Sequence, residues 1–331
     1  MLSAPPLNSN LNDVEGLLRW LGELGKVCVA IFLFCSGYGM SAQFDKASQM
    51  SFLSSAKIVF KRLLKFYLGY WVVFIVFVPV TIFVFNRPLS VPYGTNVNIV
   101  KRFVYDFFGI QGFHSYNVTW WFNLLILIFY LASPVLFWLS KRCGTLLFLL
   151  CLALLRLKNV IPGNYIDIYV WLFPFVVGML WKNGGYKFPR ISKWLSEHQV
   201  LFSIITLSLL ALMICVRMLP WIPFWGGTHV DGFLTLAIVL FEISTIRQIT
   251  VASKMFGFFG KHSTNIYLIH AFICWYWCPR WLYSNYWMSN GINFIALLTI
   301  CLLLSMLLEN IKNKIGLYRI QGKLVEAIEK L

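Results

Sequence analysis

Nine apolar runs recur along this 331-residue chain, at roughly 27–43, 64–85, 119–139, 143–156, 165–181, 199–219, 231–246, 263–282 and 291–310. A helix needs about 20 residues to cross the hydrocarbon core of a bilayer. Most of the runs fit one crossing; the fourth and seventh are short. They lack the alternation of a membrane-barrel strand. Lipid offers no hydrogen bonds, so each crossing must satisfy its own backbone, and that leaves helices. Composition agrees, with 59% hydrophobic residues and only 12% charged, about half the charged share of soluble domains. The expected fold class is all-α, a polytopic transmembrane helix bundle of about nine spans.

The chain holds 28 Lys and Arg against 12 Asp and Glu, for a net charge of +16. In a soluble protein such an excess points to nucleic acid. Here the basic residues sit between apolar runs, where they set topology and meet anionic headgroups, so no nucleic-acid partner is expected. The odd-numbered connections and the C-terminus carry 19 of the 28, and the N-terminus and even-numbered connections carry 9. The bias puts the first set and the C-terminus in the cytoplasm, and the N-terminus outside.

Three regions follow. Residues 1–26 are a polar, amphipathic-looking N-terminal segment without the basic-then-apolar pattern of a cleavable signal peptide. Residues 27–310 are the membrane domain, and 311–331 a basic cytoplasmic tail (Lys312, Lys314, Arg319, Lys323, Lys330) suited to anionic lipid. A short external N-terminus before an odd number of spans is a permitted topology. A missing first span explains it more simply.

The eight cysteines lie mostly inside apolar stretches and lack zinc-site or redox spacing, so they read as packing residues. No pair of His or carboxylates has convincing ligand spacing, and no metal is expected.

Four segments carry chemical information. Ser36-Gly37 closes the first span, where small residues permit close helix approach or let a ligand meet backbone. Arg62 and Lys65, one turn apart at the membrane edge, suit phosphate groups, or simply anchor the helix. Trp120, Trp121 and Asn123 open the third span. With His114 and Asp106 they offer either a sugar-stacking platform or an ordinary interfacial belt, which Trp221 to Trp225, His229 and Asp231 extend. His270 lies eight residues beyond His262, about 12 Å along a helix. An ionisable group at that depth is a candidate general base, or a bridge between helices. Glu242 on the preceding span is a further candidate, for catalysis or for pairing with Arg62, Lys65 or His270.

The order of these segments resembles the acyltransferase-3 family of integral membrane acyltransferases across roughly residues 27–310. The matching pieces are Phe32 to Met40, the basic Lys61 to Tyr67, Trp120 to Asn123 with Phe129-Tyr130-Leu131 and Pro134, and Gly260 to His270 with Tyr267. Phe173-Pro174-Phe175 with Gly178-Met179 matches a further family segment. The resemblance implies a ten-helix bundle in a bacterial inner membrane with both ends inside. It implies an O-acyltransferase moving an acetyl group from acetyl-CoA, the donor substrate, to a surface carbohydrate such as O-antigen. Taken with the reading of the residues, donor binding is expected at Arg62, Lys65, Ser36 and Gly37, acceptor binding at Trp120, Asn123 and Tyr267, and acid–base work at His270 and Glu242. The family's best-known catalytic candidate is a histidine on a first span that should precede residue 27. Lys65 stands where a second arginine is usual; it keeps the charge and loses the bidentate fork. An inactive, shortened relative and a transporter or glycan flippase are the alternatives. No internal repeat between the halves favours the flippase.

Overall fold

The computed structural model describes residues 24–47, 51–155, 168–184, 197–218, 227–278 and 287–330. The segment Trp221 to Trp225 and most of residues 1–26 lie outside them. The fold is all-α and polytopic. Its helices are α1 (Val27–Lys46), α2 (Phe52–Phe83), α3 (Ser90–Tyr93), α4 (Ile99–Phe107), α5 (Trp121–Leu154), α6 (Ile168–Gly184), α7 (Gln199–Met218), α8 (Asp231–Ser244), α9 (Thr250–Ala271), α10 (Trp287–Lys314) and α11 (Leu317–Lys330). A π-helical stretch, Phe272–Trp277, continues α9.

Among the described residues, five helices are long and apolar enough to cross a membrane: α1, α2, the helix through α5, α7 and the C-terminal part of α10. The other expected spans take different forms. The third and fourth runs form one 34-residue element, α5, broken only at Cys143, whose backbone (φ −140°, ψ 48°) is not helical. The short seventh run is the 14-residue α8. The fifth is the 17-residue α6, and the eighth divides between the end of α9 and the π stretch.

Proline inside α5 shows how such helices satisfy themselves. Pro134 has no N–H for the carbonyl of Tyr130, one turn back. The Ser133 hydroxyl donates to that carbonyl instead, at 2.7 Å.

The chain divides into two compact units. The first holds residues 1–46 and 135–254, the second 47–134 and 255–331. In the first, α1 packs along α6, and α8 against α1, α6 and α7. Two glycines set the closeness of α1 and α6. A Cβ on Gly37 would lie 1.9 Å from the Phe175 carbonyl oxygen, and one on Gly178 2.1 Å from that of Phe34. Each helix presses its backbone into the gap the other leaves, the small-residue solution of membrane helix packing. Gly37 is therefore accounted for by packing, with no room for a ligand at its α-carbon. At one end of this pair, Ser41 donates to Asn183 (3.0 Å), which donates to Ser140 (2.8 Å), and Lys141 pairs with Asp45 at 2.7 Å. A buried ion pair, Arg217 to Asp231 at 2.6 Å, joins α7 to α8.

In the second unit α2 begins at a capping box: the Ser51 hydroxyl accepts from the Ser54 N–H, and the Ser54 hydroxyl accepts from the Ser51 N–H. An aromatic core follows, built from Tyr70, Phe74, Phe77, Tyr116, Trp120 and Phe272.

Gly37→Ala should cost about 1–3 kcal/mol, the usual range for overpacking, and lower the unfolding midpoint in detergent. Gly69→Ala is the control, since a Cβ there meets nothing within 4 Å. Wild-type melting of Gly37→Ala would contradict the packing assigned to α1 and α6.

Candidate active site

Arg62 lies one-third of the way along α2, half-buried, and is held in place by α5. Its Nε donates to the Tyr130 hydroxyl at 3.2 Å, and its guanidinium carbon sits 5.8 Å from that ring's centre. Only one of the five guanidinium N–H groups is committed by this bond. The outer fork has no hydrogen-bond partner among the described residues. Lys65, one turn on, is exposed. The basic segment thus presents one oriented fork and one exposed cation.

Two other motifs meet around one backbone carbonyl. The oxygen of Leu268 accepts from the Trp120 indole N–H at 3.1 Å and from the Asn117 amide at 3.2 Å. The Tyr267 hydroxyl donates to the Thr119 carbonyl, and the Val118 N–H donates to the Tyr276 hydroxyl at 3.2 Å. The end of α9 and the start of α5 are stitched by four bonds. Immediately after Ala271 the helix widens to its π form, a distortion that recurs at functional sites.

His270 stands at this junction. Its Nδ1 lies 2.8 Å from the Tyr267 carbonyl oxygen and 3.2 Å from that of Ile266. A carbonyl can only accept, so Nδ1 carries the hydrogen and the neutral ring keeps its lone pair on Nε2. Nε2 has no partner among the described residues. The ring is held by its own helix through Nδ1.

Trp120 is fully buried. It stacks on Phe74 (5.5 Å between centres) and meets Tyr70 and Phe272 edge-on at 5.0 and 5.5 Å. Protein covers its ring, and its N–H is spent on Leu268. Of the two readings open for Trp120, this burial leaves its ring packed in the core, with no face open to a sugar in this structure. Asn123 is also fully buried beside the Tyr70 hydroxyl, and no hydrogen bond of ordinary geometry satisfies its amide nitrogen or oxygen among the described residues. Gly109, in the left-handed region at φ 68°, packs against it; a Cβ there would come within 3.0 Å of the Asn123 Cβ.

The connection between the second and third spans holds residues that sequence reasoning passed over. Tyr67, Tyr70 and Trp71 on α2 donate to the carbonyls of Phe108 (2.8 Å), Asp106 (2.5 Å) and Phe107 (2.9 Å). The Phe107 and Phe108 carbonyls lie where the backbone donors of α4 run out, while the Asp106 carbonyl also accepts from the Gly109 N–H at 2.8 Å; one face of another helix caps all three. The spacing i, i+3, i+4 of these three donors was the available signal. The Asp106 carboxylate accepts from the Tyr93 hydroxyl at 2.7 Å and from the Tyr116 N–H. Arg87 donates to the Tyr116 carbonyl at 2.9 Å and lies 3.6 Å from the centre of the Tyr276 ring. Asp106 therefore organises its loop rather than facing a sugar.

The polar part of the fourth motif is a clasp. His262 and Asn265 bond Ser305 at 2.9 and 3.1 Å; Asn265 and Lys312 both donate to Glu309 at 2.8 Å, and Lys312 donates to Asn265 at 2.8 Å. It fixes α9 to α10. Ser36, Gly37 and the exposed Glu242 belong to the first unit, and Arg62, Lys65, Trp120, Asn123, Tyr267 and His270 to the second.

Burial pushes the Asp106 carboxyl up to about 6, against the hydrogen bonds from Tyr116, Tyr93 and Ser115. The folded state then holds a proton that the unfolded state releases nearer pH 4. Its stabilisation is complete below the unfolded value and is lost as pH rises through about 6. Asp106→Asn should remove that component, so the wild-type melting temperature should fall relative to the variant's between pH 4 and 6. Parallel profiles would contradict it.

A family model described as an acyltransferase domain, that of the acyltransferase-3 family, matches residues 3–310. No curated protein and no solved structure matches the chain. The family match spans most of the sequence and extends the motif resemblance back to residue 3. With the apolar helices described above, it identifies the chain as a member of the acyltransferase-3 family of membrane acyltransferases.

Proposed function

We propose that this protein is an O-acyltransferase that moves an acetyl or other acyl group from acyl-CoA to a hydroxyl of a cell-surface or lipid-linked carbohydrate, in a bacterial inner membrane. The observation that carries the reading is His270, with Nδ1–H turned to the Tyr267 carbonyl and the Nε2 lone pair open. Nε2 takes the proton of the acceptor hydroxyl as its oxygen attacks the thioester carbonyl. The C–O bond forms, the C–S bond breaks, and the proton passes from Nε2 to the departing CoA sulfur.

The donor's phosphates are assigned to Arg62 and Lys65. Arg62 supports this with a fork that Tyr130 orients through Nε and leaves open at its outer nitrogens. Tyr130 lies seven residues beyond Asn123 on α5, about 10 Å along the helix. The pantetheine arm of CoA bridges such a span, so phosphates at Arg62 and a thioester nearer Asn123 and Tyr267 fit one donor. The buried Asn123 amide offers a donor and an acceptor at the reacting end. The excess of Lys and Arg on one set of connections favours a cytoplasmic donor side and a cytoplasmic C-terminus. Gly37 and Trp120 are left out of the ligand contacts, since packing occupies both. Ser36, beside Gly37 on the same tightly packed turn, and Glu242 are given no step.

Arg62→Ala should raise the KM for acyl-CoA by roughly ten- to a hundredfold with kcat little changed, and Arg62→Lys should recover part of the loss. His270→Ala should lower kcat by about 10²- to 10⁴-fold at matched protein levels. Wild-type acceptor acetylation by Arg62→Ala or His270→Ala would remove that residue from the mechanism.

A further inference from the structure

The sequence shows residues 311–331 as a basic tail; the structure carries α10 on to Lys314 and makes Leu317–Lys330 a docked amphipathic helix with three distinct sides. Gly316, at φ 68°, ends α10 with its N–H on the Asn313 carbonyl (3.0 Å), and the chain then turns into α11. Leu317, Gln321, Val325 and Ile328 recur at one-turn spacing and form its covered side. α11 packs on the first turns of α2, where Lys61 pairs with Glu329 at 2.6 Å and Lys57 donates to the Glu329 carbonyl at 3.3 Å.

A second side is apolar and uncovered. Ile320 and Leu324 are 47% and 41% exposed, and Ala327 continues their row. Phe60 on α2, to which α11 is docked, is 57% exposed. A third side, next around the helix, carries Arg319, Lys323 and Lys330, all exposed. Of the carboxylates nearby, Glu329 is engaged by Lys61 and Glu309 by Lys312, leaving Glu326 on the basic side. Fourteen residues rise about 21 Å, short of the roughly 30 Å of a hydrocarbon core. Five of them are charged. The helix cannot span, and among the described residues nothing covers its apolar row.

We infer that α11 is an interfacial helix, inserted by Ile320, Leu324 and Ala327 to the boundary of headgroups and acyl chains, with Arg319, Lys323 and Lys330 binding anionic phospholipid headgroups. An apolar row flanked by a basic one is the pattern of helices that lie in the membrane plane. It differs from electrostatic adsorption of a basic tail, which high salt would undo. The charge complementarity selects anionic over zwitterionic lipid. None of these residues is given a step in acyl transfer, and the test needs no activity.

The experiment uses the full chain in nanodiscs of phosphatidylglycerol and phosphatidylcholine, with a photoreactive benzoylphenylalanine replacing Leu324, and in a separate variant Gln321. Position 324 should cross-link phospholipid in both 0.1 M and 1 M salt, whereas position 321 should cross-link within the chain, to α2. In parallel, native mass spectrometry of Arg319→Gln/Lys323→Gln/Lys330→Gln should show about a tenfold smaller preference for retained phosphatidylglycerol over phosphatidylcholine. Three results would each overturn the inference. Position 324 cross-links a second copy or no lipid at all; its lipid cross-link disappears at 1 M salt; or the triple variant keeps the wild-type lipid preference.

Discussion

A backbone carbonyl away from water must find a donor, because an unmet one costs on the order of 1–3 kcal/mol. The carbonyl of Leu268 shows how much organisation one such demand can produce. It lies near the end of α9, and side chains of Trp120 and Asn117 answer it from the approach to α5. Those bonds fix the height of α5 against α9. They spend the Trp120 N–H in the core and leave His270, two residues on, with Nδ1 turned back on its own helix. The widened turn at Phe272–Trp277 begins directly beyond. Position and wall come from the stitched junction, and the orientation of the His270 ring from its own helix.

The same logic governs the connection from α2 to α5. The end of α4 would leave the Phe107 and Phe108 carbonyls without donors; Trp71 and Tyr67 meet them from one face of α2, and Tyr70 adds a second donor to the Asp106 carbonyl. Asp106 sits inside that connection as a buried carboxyl answered by Tyr93 and Tyr116. The connection is thereby tied to α2 and to itself by side-chain hydrogen bonds. In the first unit the constraint is volume: Gly37 and Gly178 bring α1 and α6 to backbone contact.

The helical class and most crossings were legible because hydropathy period and length are physical requirements of lipid. The family was legible because four spaced motifs each keep a residue that chemistry or packing needs. The join of two expected spans into α5 was not, since Cys143 breaks the helix by two dihedral angles that no residue type announces. Gly37 was visible as a small residue, but its role depends on Gly178, 141 positions away. Trp120 read as interfacial because a tryptophan near a span end usually is; its burial depends on Phe74 and Phe272 arriving from other helices. The clasp of Asn265, Glu309 and Lys312 was hidden for the same reason, as each residue is unremarkable in its own segment.

The central claim is that this chain moves an acyl group from CoA to a carbohydrate hydroxyl. Purified protein in liposomes, given acetyl-labelled acetyl-CoA and a surface polysaccharide or lipid-linked glycan, tests it directly. The account predicts label in the carbohydrate as an alkali-labile ester, with one free CoA released per ester formed. Carbohydrate that stays unlabelled while the protein is folded and the donor stays intact would contradict it.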